Sequence, residues 1–237
     1  MKQICKLVVM LLLTFTAGVQ AQLVTYPESL NPGIPHNDDY TVRVRIPGGE
    51  WKDLFEYNVQ VDMDNVQKAS MVQFDMGSVV EVMVKKNNGS VREVTIRPLS
   101  KGIEYKQVQN AILFTLEKPQ YLSIEFDGDR LHNLHLFANP LETEKYDKEA
   151  KGIMYFSPGV HRPKDLPNNQ IRIPGNTIVY LAPGAVVKAK LLVDKAENVR
   201  IIGRGILDHP IRGIEVTDSK NCLLYTSDAA DEARSVD

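Results

Sequence analysis

Apolar and polar residues alternate with a period of two through residues 23–139, in short runs separated by turn-forming residues. Residues 41–46 (TVRVRI) and 57–61 (YNVQV) interleave valine with charged or amide side chains. Successive side chains of a strand point to opposite faces, so these runs predict strands with one buried face. Residues 78–86 (SVVEVMVKK) and 90–97 (SVREVTIR) flank Asn87, Asn88 and Gly89, which predicts a hairpin closed by an Asn-Gly turn. Residues 111–117 (AILFTLE), 121–126 (YLSIEF) and 131–137 (LHNLHLF) supply further strands. About eight short strands without a helical run predict an immunoglobulin-like β-sandwich, with Val80, Val82 and Val84 facing its core.

The alternation stops at residues 141–151 (LETEKYDKEAK), which follow Asn139 and Pro140. This charged stretch has too little apolar content for a core helix and is read as an interdomain linker with a turn or two of helix. The domains are therefore 22–140, a linker at 141–151, and 152–221. After Gly152 a longer period sets in. Residues 178–181 (IVYL) are echoed by 199–202 (VRII), 185–187 (AVV) by 205–207 (GIL), and 191–193 (LLV) by 214–216 (IEV), at offsets of 21, 20 and 23 residues. Three short β-runs per repeat predict a three-sided coil, the start of a parallel β-helix. Asn198 and Asn221 both precede the same strand of the repeat, where stacked asparagines would bond along the turn.

Both chain ends change how the middle is read. Lys2 and Lys6, the apolar residues 7–15 and the small-residue pattern of Val19, Gln20 and Ala21 predict a signal peptide over residues 1–21, cleaved between Ala21 and Gln22. The apolar run is too short for a permanent anchor, and Cys5 precedes it, so no membrane anchor is expected after cleavage. The protein is expected to be exported, to the periplasm or outside the cell. At the other end, residues 222–237 (CLLYTSDAADEARSVD) resemble the translation of a transposase adapter used in sequencing libraries. They are read as adapter-derived, which makes residues 22–221 the front part of a longer, truncated chain. Removing Lys2, Lys6 and Arg234 from 28 basic residues leaves 25, and removing Asp228, Asp231, Glu232 and Asp237 from 30 acidic ones leaves 26. This near-neutral balance does not point to nucleic acid or an anionic membrane. Cys5 and Cys222 both fall in the excluded ends, so core burial rather than disulfides must hold the fold.

Residues 155–208, with YFSPGVHRP, IRIPGNTIVYLAPGAVV and ENVRIIGRGILD, resemble the opening rungs of pectinase-like right-handed β-helix glycoside hydrolases. Polygalacturonases of family 28 and the dextranases and isopullulanases of family 49 have this architecture. The preceding VREVTIRPLS, ILFTLEKPQYLSIEFDG and LHLFANPLE are similar to the amino-terminal domain of family 49 enzymes. The resemblance spans residues 40–221. It implies a polysaccharide substrate, hydrolysis with inversion, and no cofactor. Its chemistry uses carboxylates on neighbouring rungs, one protonating the leaving oxygen and another activating water. In polygalacturonases they lie in Asn-Thr-Asp, Asp-Asp and Gly-His-Gly motifs, with a downstream Arg-x-Lys. That set is absent from residues 152–221, so no catalytic residue and no metal ligand is assigned, and the substrate-binding residues stay unassigned. Fold alone leaves a polysaccharide lyase and a non-catalytic glycan-binding or adhesin solenoid as alternatives.

Several local patterns have sharper readings. Gly203, Arg204 and Gly205 begin like a dinucleotide fingerprint but lack its third glycine and helix, and are read as a tight coil turn. Asp208 beside His209 is read as a rung-end Asp bonded to backbone amides rather than an acid–base pair. Asp62, Asp64 and Asn65 lack the Gly and distal Glu of a calcium loop and are read as a solvated strand end. His132 and His135, on opposite faces of one strand, are read as ordinary strand residues. Asn88, Gly89 and Ser90 match a glycosylation acceptor but are read as the hairpin turn. Trp51 and Tyr57 are read as sandwich core rather than a sugar platform.

Overall fold

The computed structural model describes residues 22–26, 33–62, 64–163, 167–208 and 213–224. The signal-peptide reading for 1–21, including Ala21, lies outside them; Gln22 is the first described residue. Two β-architectures follow each other along the chain.

The first holds β1 (Leu23–Thr25), β2 (Tyr40–Arg45), β3 (Lys52–Asp53), β4 (Tyr57–Val61), β5 (Gln67–Met76), β6 (Val80–Lys86), β7 (Val94–Arg97), β8 (Tyr105–Val108), β9 (Ala111–Leu116), β10 (Gln120–Phe126) and β11 (Leu134–Pro140). One sheet runs β1-β5-β11-β10-β7, with β4 also on β5; the other runs β3-β2-β6-β9-β8. The alternation explains the pairing of layers. Val42 and Val44 from β2, Val80, Val82 and Val84 from β6, and Ile112, Phe114 and Leu116 from β9 turn inward. They meet Val72 and Phe74 of β5, Leu122, Ile124 and Phe126 of β10, and Leu134, Leu136 and Ala138 of β11 in one continuous core. The result is a two-layer sandwich whose β5 and β11 run parallel while the other pairs are antiparallel.

The expected hairpin does not form. β6 pairs with β2 and β9, whereas β7 pairs with β10 in the opposite sheet. Bonds at the turn lead the chain across. The Asn87 backbone N–H donates to Asp39 O (2.8 Å) and the Asn110 side chain to Gly89 O (2.6 Å). The Arg92 and Glu93 N–H groups are then taken by Asp127 Oδ1, at 2.8 and 3.3 Å, which delivers the chain to β10. Both strands keep one buried face, so alternation fits either partner.

The second architecture has three parallel sheets, each receiving one strand per turn. β12 (Ile153–Phe156), β15 (Ile178–Leu181), β18 (Arg200–Gly203) and β21 (Leu223–Leu224) form one; β13 (Gly159–His161), β16 (Ala185–Val187) and β19 (Ile206–Leu207) the second; β14 (Gln170–Arg172), β17 (Lys190–Asp194) and β20 (Ile214–Thr217) the third. This is a three-sided parallel coil around Val179, Leu181, Val187, Leu191, Val193 and Ile201. The expected offsets of 20 and 23 hold for the second and third sides, Val187 lying opposite Leu207 and Leu191 opposite Ile214. The first side is shifted by one: Ile178 lies opposite Arg200, not Val199. An offset of 21 would set Arg200 over Val179 in the core, and a one-residue slip exchanges the faces of a strand. The opening turn of β12, β13 and β14 also belongs to the coil, though its first two strands are spaced 25 and 26 residues from their partners. Within the stretch read as adapter-derived, Leu223 and Leu224 pair with Arg200 and Ile201, and Cys222 packs on the core.

The asparagine stack does form, and it has three members. Asn221 Nδ2 donates to Asn198 Oδ1 (2.5 Å) and Asn198 Nδ2 to Asn176 Oδ1 (2.9 Å). All three have positive φ, between 50° and 59°, a conformation asparagine tolerates better than other side chains bearing a Cβ.

Residues 141–151 contain no helix. They end in turns closed by bonds from Ala150 N to Asp147 O and from Ile153 N to Ala150 O, and Tyr146 joins Tyr155, Tyr180 and Ile202 in a small apolar cluster. Beside it the two architectures lock. Arg204, nearly buried, sends Nε to Asp75 Oδ1 of β5 (2.7 Å) and Nη2 to Pro140 O at the end of β11 (2.7 Å). Gln73 Nε2 donates to Arg204 O (2.9 Å), and Tyr26 bonds Asp75 through its hydroxyl.

Two outcomes test this account. Asn198→Ala should lower the protection of β15 and β18 amides in hydrogen exchange by about 1–2 kcal/mol, through lost ladder bonds and left-handed strain. Asn198→Gly, free of that strain, should lose about half as much. Arg204→Met should cost about 3–5 kcal/mol in urea unfolding because it strands Asp75, while Arg204→Met with Asp75→Leu should recover most of it. A single-variant cost below about 1 kcal/mol would show that the ion pair does not hold the junction.

Candidate functional site

Arg204 reaches Asp75 because the residues on either side of it are glycines. Gly203 has φ of +122°, and a Cβ there would lie 2.0 Å from Leu181 O; a Cβ on Gly205 would lie 2.8 Å from Ala185 O. With neither Cβ present, the N–H groups of Arg204 and Gly205 both reach Leu181 O, at 2.9 and 3.0 Å. The tight-turn reading of this tripeptide is what the geometry shows. What the turn presents, the Arg204 side chain, had no signal in the local sequence, because its partners lie 64 and 129 positions away.

The docked linker and this turn enclose a groove of about 350 Å³. Glu142, Glu144, Tyr146, Arg200, Ile202 and Arg204 are among its walls. Glu142 Oε2 accepts the Tyr180 hydroxyl at 2.9 Å, and its Oε1 stands 4.0 Å from Arg204 Nη1. Burial pushes the Glu142 carboxyl up, against the opposing pull of Tyr180 and Arg204. Glu144 is pulled the other way: the Tyr146 hydroxyl and the Arg200 guanidinium, whose nitrogens lie 3.3 and 3.4 Å from its oxygens, hold it below the usual range. The Tyr146 and Tyr180 rings lie 4.8 Å apart, and the Tyr155 ring lies 5.2 Å from that of Tyr180. Aromatic rings, carboxylates and guanidinium groups thus converge in this groove.

The other candidate residues remain dispersed. Asp208 pairs with Lys188 on the neighbouring rung, and His209 lies outside the described residues. Lys188 supplies the charge that a lone sequence window around Asp208 lacks. Asp62 closes an Asx turn onto the N–H groups of Asp64 and Asn65, both at 3.2 Å. No group of three or more metal-ligating side chains occurs among the described residues. His132 sits in the turn before β11, bonded to Asp129 (2.9 Å), whereas His135 lies within β11 with its ring pushed toward the neutral form by burial. Asn88, Gly89 and Ser90 lie in the crossover between the sheets rather than in a hairpin turn. Tyr57 is core, but Trp51 is half-buried between β2 and β3, with the Arg45 guanidinium 4.3 Å over its ring. A second polar cluster occupies the sandwich rim, where His36 bridges Glu56 (3.1 Å) and Asp38 (2.9 Å). Burial lowers the affinity of His36 for its proton, but those two carboxylates outweigh it and raise the pKa overall.

No protein-family profile matches the chain. A dextranase from Talaromyces minioluteus is 35% identical over 92 residues, which cover 35% of this chain and 15% of that enzyme. Among solved structures, Dex49A from Penicillium minioluteum matches with a TM-score of 0.57 and 20% identity, over 77% of this chain and 47% of that one. The chain thus spans less than half the length of the relatives it matches. At this identity the structural likeness shows a shared fold, and the shared fold takes in most of the chain.

Proposed function

We propose that this chain is the amino-terminal part of an exported glycoside hydrolase that cleaves a polysaccharide with inversion. On this reading residues 1–21 are a signal peptide cleaved before Gln22, the sandwich is immunoglobulin-like, the coil is right-handed, and the catalytic carboxylates lie on rungs beyond residue 221. The observation that carries the proposal is the structural match to Dex49A over 77% of the chain, joined to a stretch 35% identical to a dextranase.

The state of three coil carboxylates agrees with this placement of the chemistry. Inversion needs two carboxyl groups held about 6.5–9.5 Å apart, so that a water fits between one of them and the sugar. On the described rungs, Asp194 is engaged by Arg172 (2.7 Å) and Thr217 (2.8 Å), Asp208 by Lys188, and Glu215 by Lys190. Each is tied to a cation on an adjacent turn, an arrangement that staples rungs rather than one that moves protons.

The longer reading frame of the source gene and this 237-residue chain should be assayed side by side on dextran, pullulan and polygalacturonate. The longer protein is expected to release reducing sugar from dextran with an inverted anomer in the first product seen by NMR; this chain is expected to release none. Unsaturated products would replace hydrolysis with a lyase reaction. No product from the longer protein on any of the three would leave a non-catalytic glycan-binding solenoid as the reading. Release by this chain would overturn the placement of the catalytic groups.

A further inference from the structure

At the centre of the groove between the linker and the Arg204 turn, a guanidinium nitrogen and a carboxylate oxygen face each other across 4.0 Å. Arg204 spends Nε on Asp75 and Nη2 on Pro140 O, which leaves Nη1 turned toward Glu142. Glu142 spends Oε2 on Tyr180 and leaves Oε1 turned toward Arg204. The two remaining atoms stand 4.0 Å apart, too far for a direct hydrogen bond. One hydroxyl oxygen placed between them at ordinary distance accepts from the guanidinium and donates to the carboxylate. Water can do this, and so can a sugar hydroxyl, which displaces that water and brings the rest of its ring against the apolar wall.

Neither partner is free to swing across and close the gap alone. Arg204 is held at three points of the junction, and Glu142 is pinned by Tyr180, whose ring packs against those of Tyr146 and Tyr155. Such preorganisation lowers the entropic cost of binding. A groove of about 350 Å³ is at the small end of ligand sites, suited to one or two sugar units, and Tyr146 and Ile202 give it an apolar wall.

The charges select among sugars. Asp75 is matched by Arg204 and Glu144 by Arg200, so Glu142 is the carboxylate in surplus. A uronate brought here meets a net negative site, whereas a neutral hexose does not. We infer that the groove formed by Glu142, Tyr146 and Arg204 binds a neutral saccharide unit, one hydroxyl bridging Arg204 Nη1 and Glu142 Oε1. The choice of a saccharide as ligand rests on the proposed function.

The test is a titration of the 237-residue chain, followed by amide chemical shifts, with isomaltotriose in one series and trigalacturonate in another. Isomaltotriose should shift the amides of Leu141, Glu142, Ile202 and Arg204, and trigalacturonate should leave them in place. Glu142→Ala should weaken isomaltotriose at least tenfold. Glu142→Gln keeps an acceptor for the Tyr180 hydroxyl and so guards against mere loosening of the linker; with its one oxygen on Tyr180 it presents N–H instead of an acceptor to the sugar, so it should weaken isomaltotriose about as much as Glu142→Ala and admit trigalacturonate, through loss of the surplus charge. No shift at these four amides with isomaltotriose, or equal shifts with both sugars in the unaltered chain, would overturn the inference. The two readings fail separately. Dextran hydrolysis by the longer protein without shifts here removes only this site, and shifts here without hydrolysis remove only the enzyme.

Discussion

The Arg204–Asp75 ion pair is the contact on which the arrangement of the two halves depends. Both side chains are nearly out of water, so each requires the other, and an unmatched charge at that depth costs several kcal/mol. Buried pairs of this kind add little net stability compared with apolar contacts. Their effect is on specificity, because alternative docking of the coil on the sandwich leaves both charges stranded. Gln73, Pro140 and Tyr26 add further bonds at the same spot, and all of them come from the sandwich side. The coil contributes a single turn, shaped by two glycines that allow its backbone to approach Leu181 and Ala185.

Stacking is the second constraint, and it acts along the coil. Each strand buries its inner residues only when the next turn covers them, and the outer residues carry the bonds that set one turn over another. The asparagine series at 176, 198 and 221 does this at one corner, and Arg172 with Asp194, Lys188 with Asp208 and Lys190 with Glu215 do it on the other sides. Rungs stacked in this way give a rigid, laterally extended surface. The linker lies on this surface as a strap rather than crossing free solvent, which is how Glu142 and Tyr146 come to face Arg204.

Part of this was legible in the residues. Alternation in residues 41–46 and 111–117 marked strands with one buried face, and those strands are present. The spacing of 20 and 23 residues between the Ala185–Val187 and Leu191–Val193 runs and their echoes marked a coil, and the asparagines before its strands marked the stack. Three things were misread. The hairpin after β6 failed because a turn signal says that the chain reverses, not which sheet receives it. The offset of 21 failed by one residue because Val199 and Arg200 are adjacent and only the core decides which one faces it. The turn or two of helix expected in the linker is absent, since Glu142 and Glu144 instead take partners from the coil, Tyr180 and Arg200.

The sequence by itself determined the period of each half, and with it the two architectures, because a buried face needs an apolar residue at every repeat whatever else surrounds it. Tertiary structure alone decided the sheet that each strand joins, the register of the first side of the coil, and the meeting of Arg204 with Asp75 and Glu142. Periodicity is local and is written within a few residues. A salt bridge between positions 75 and 204 has no local trace, since any exposed arginine and aspartate look the same until folding removes the water between them.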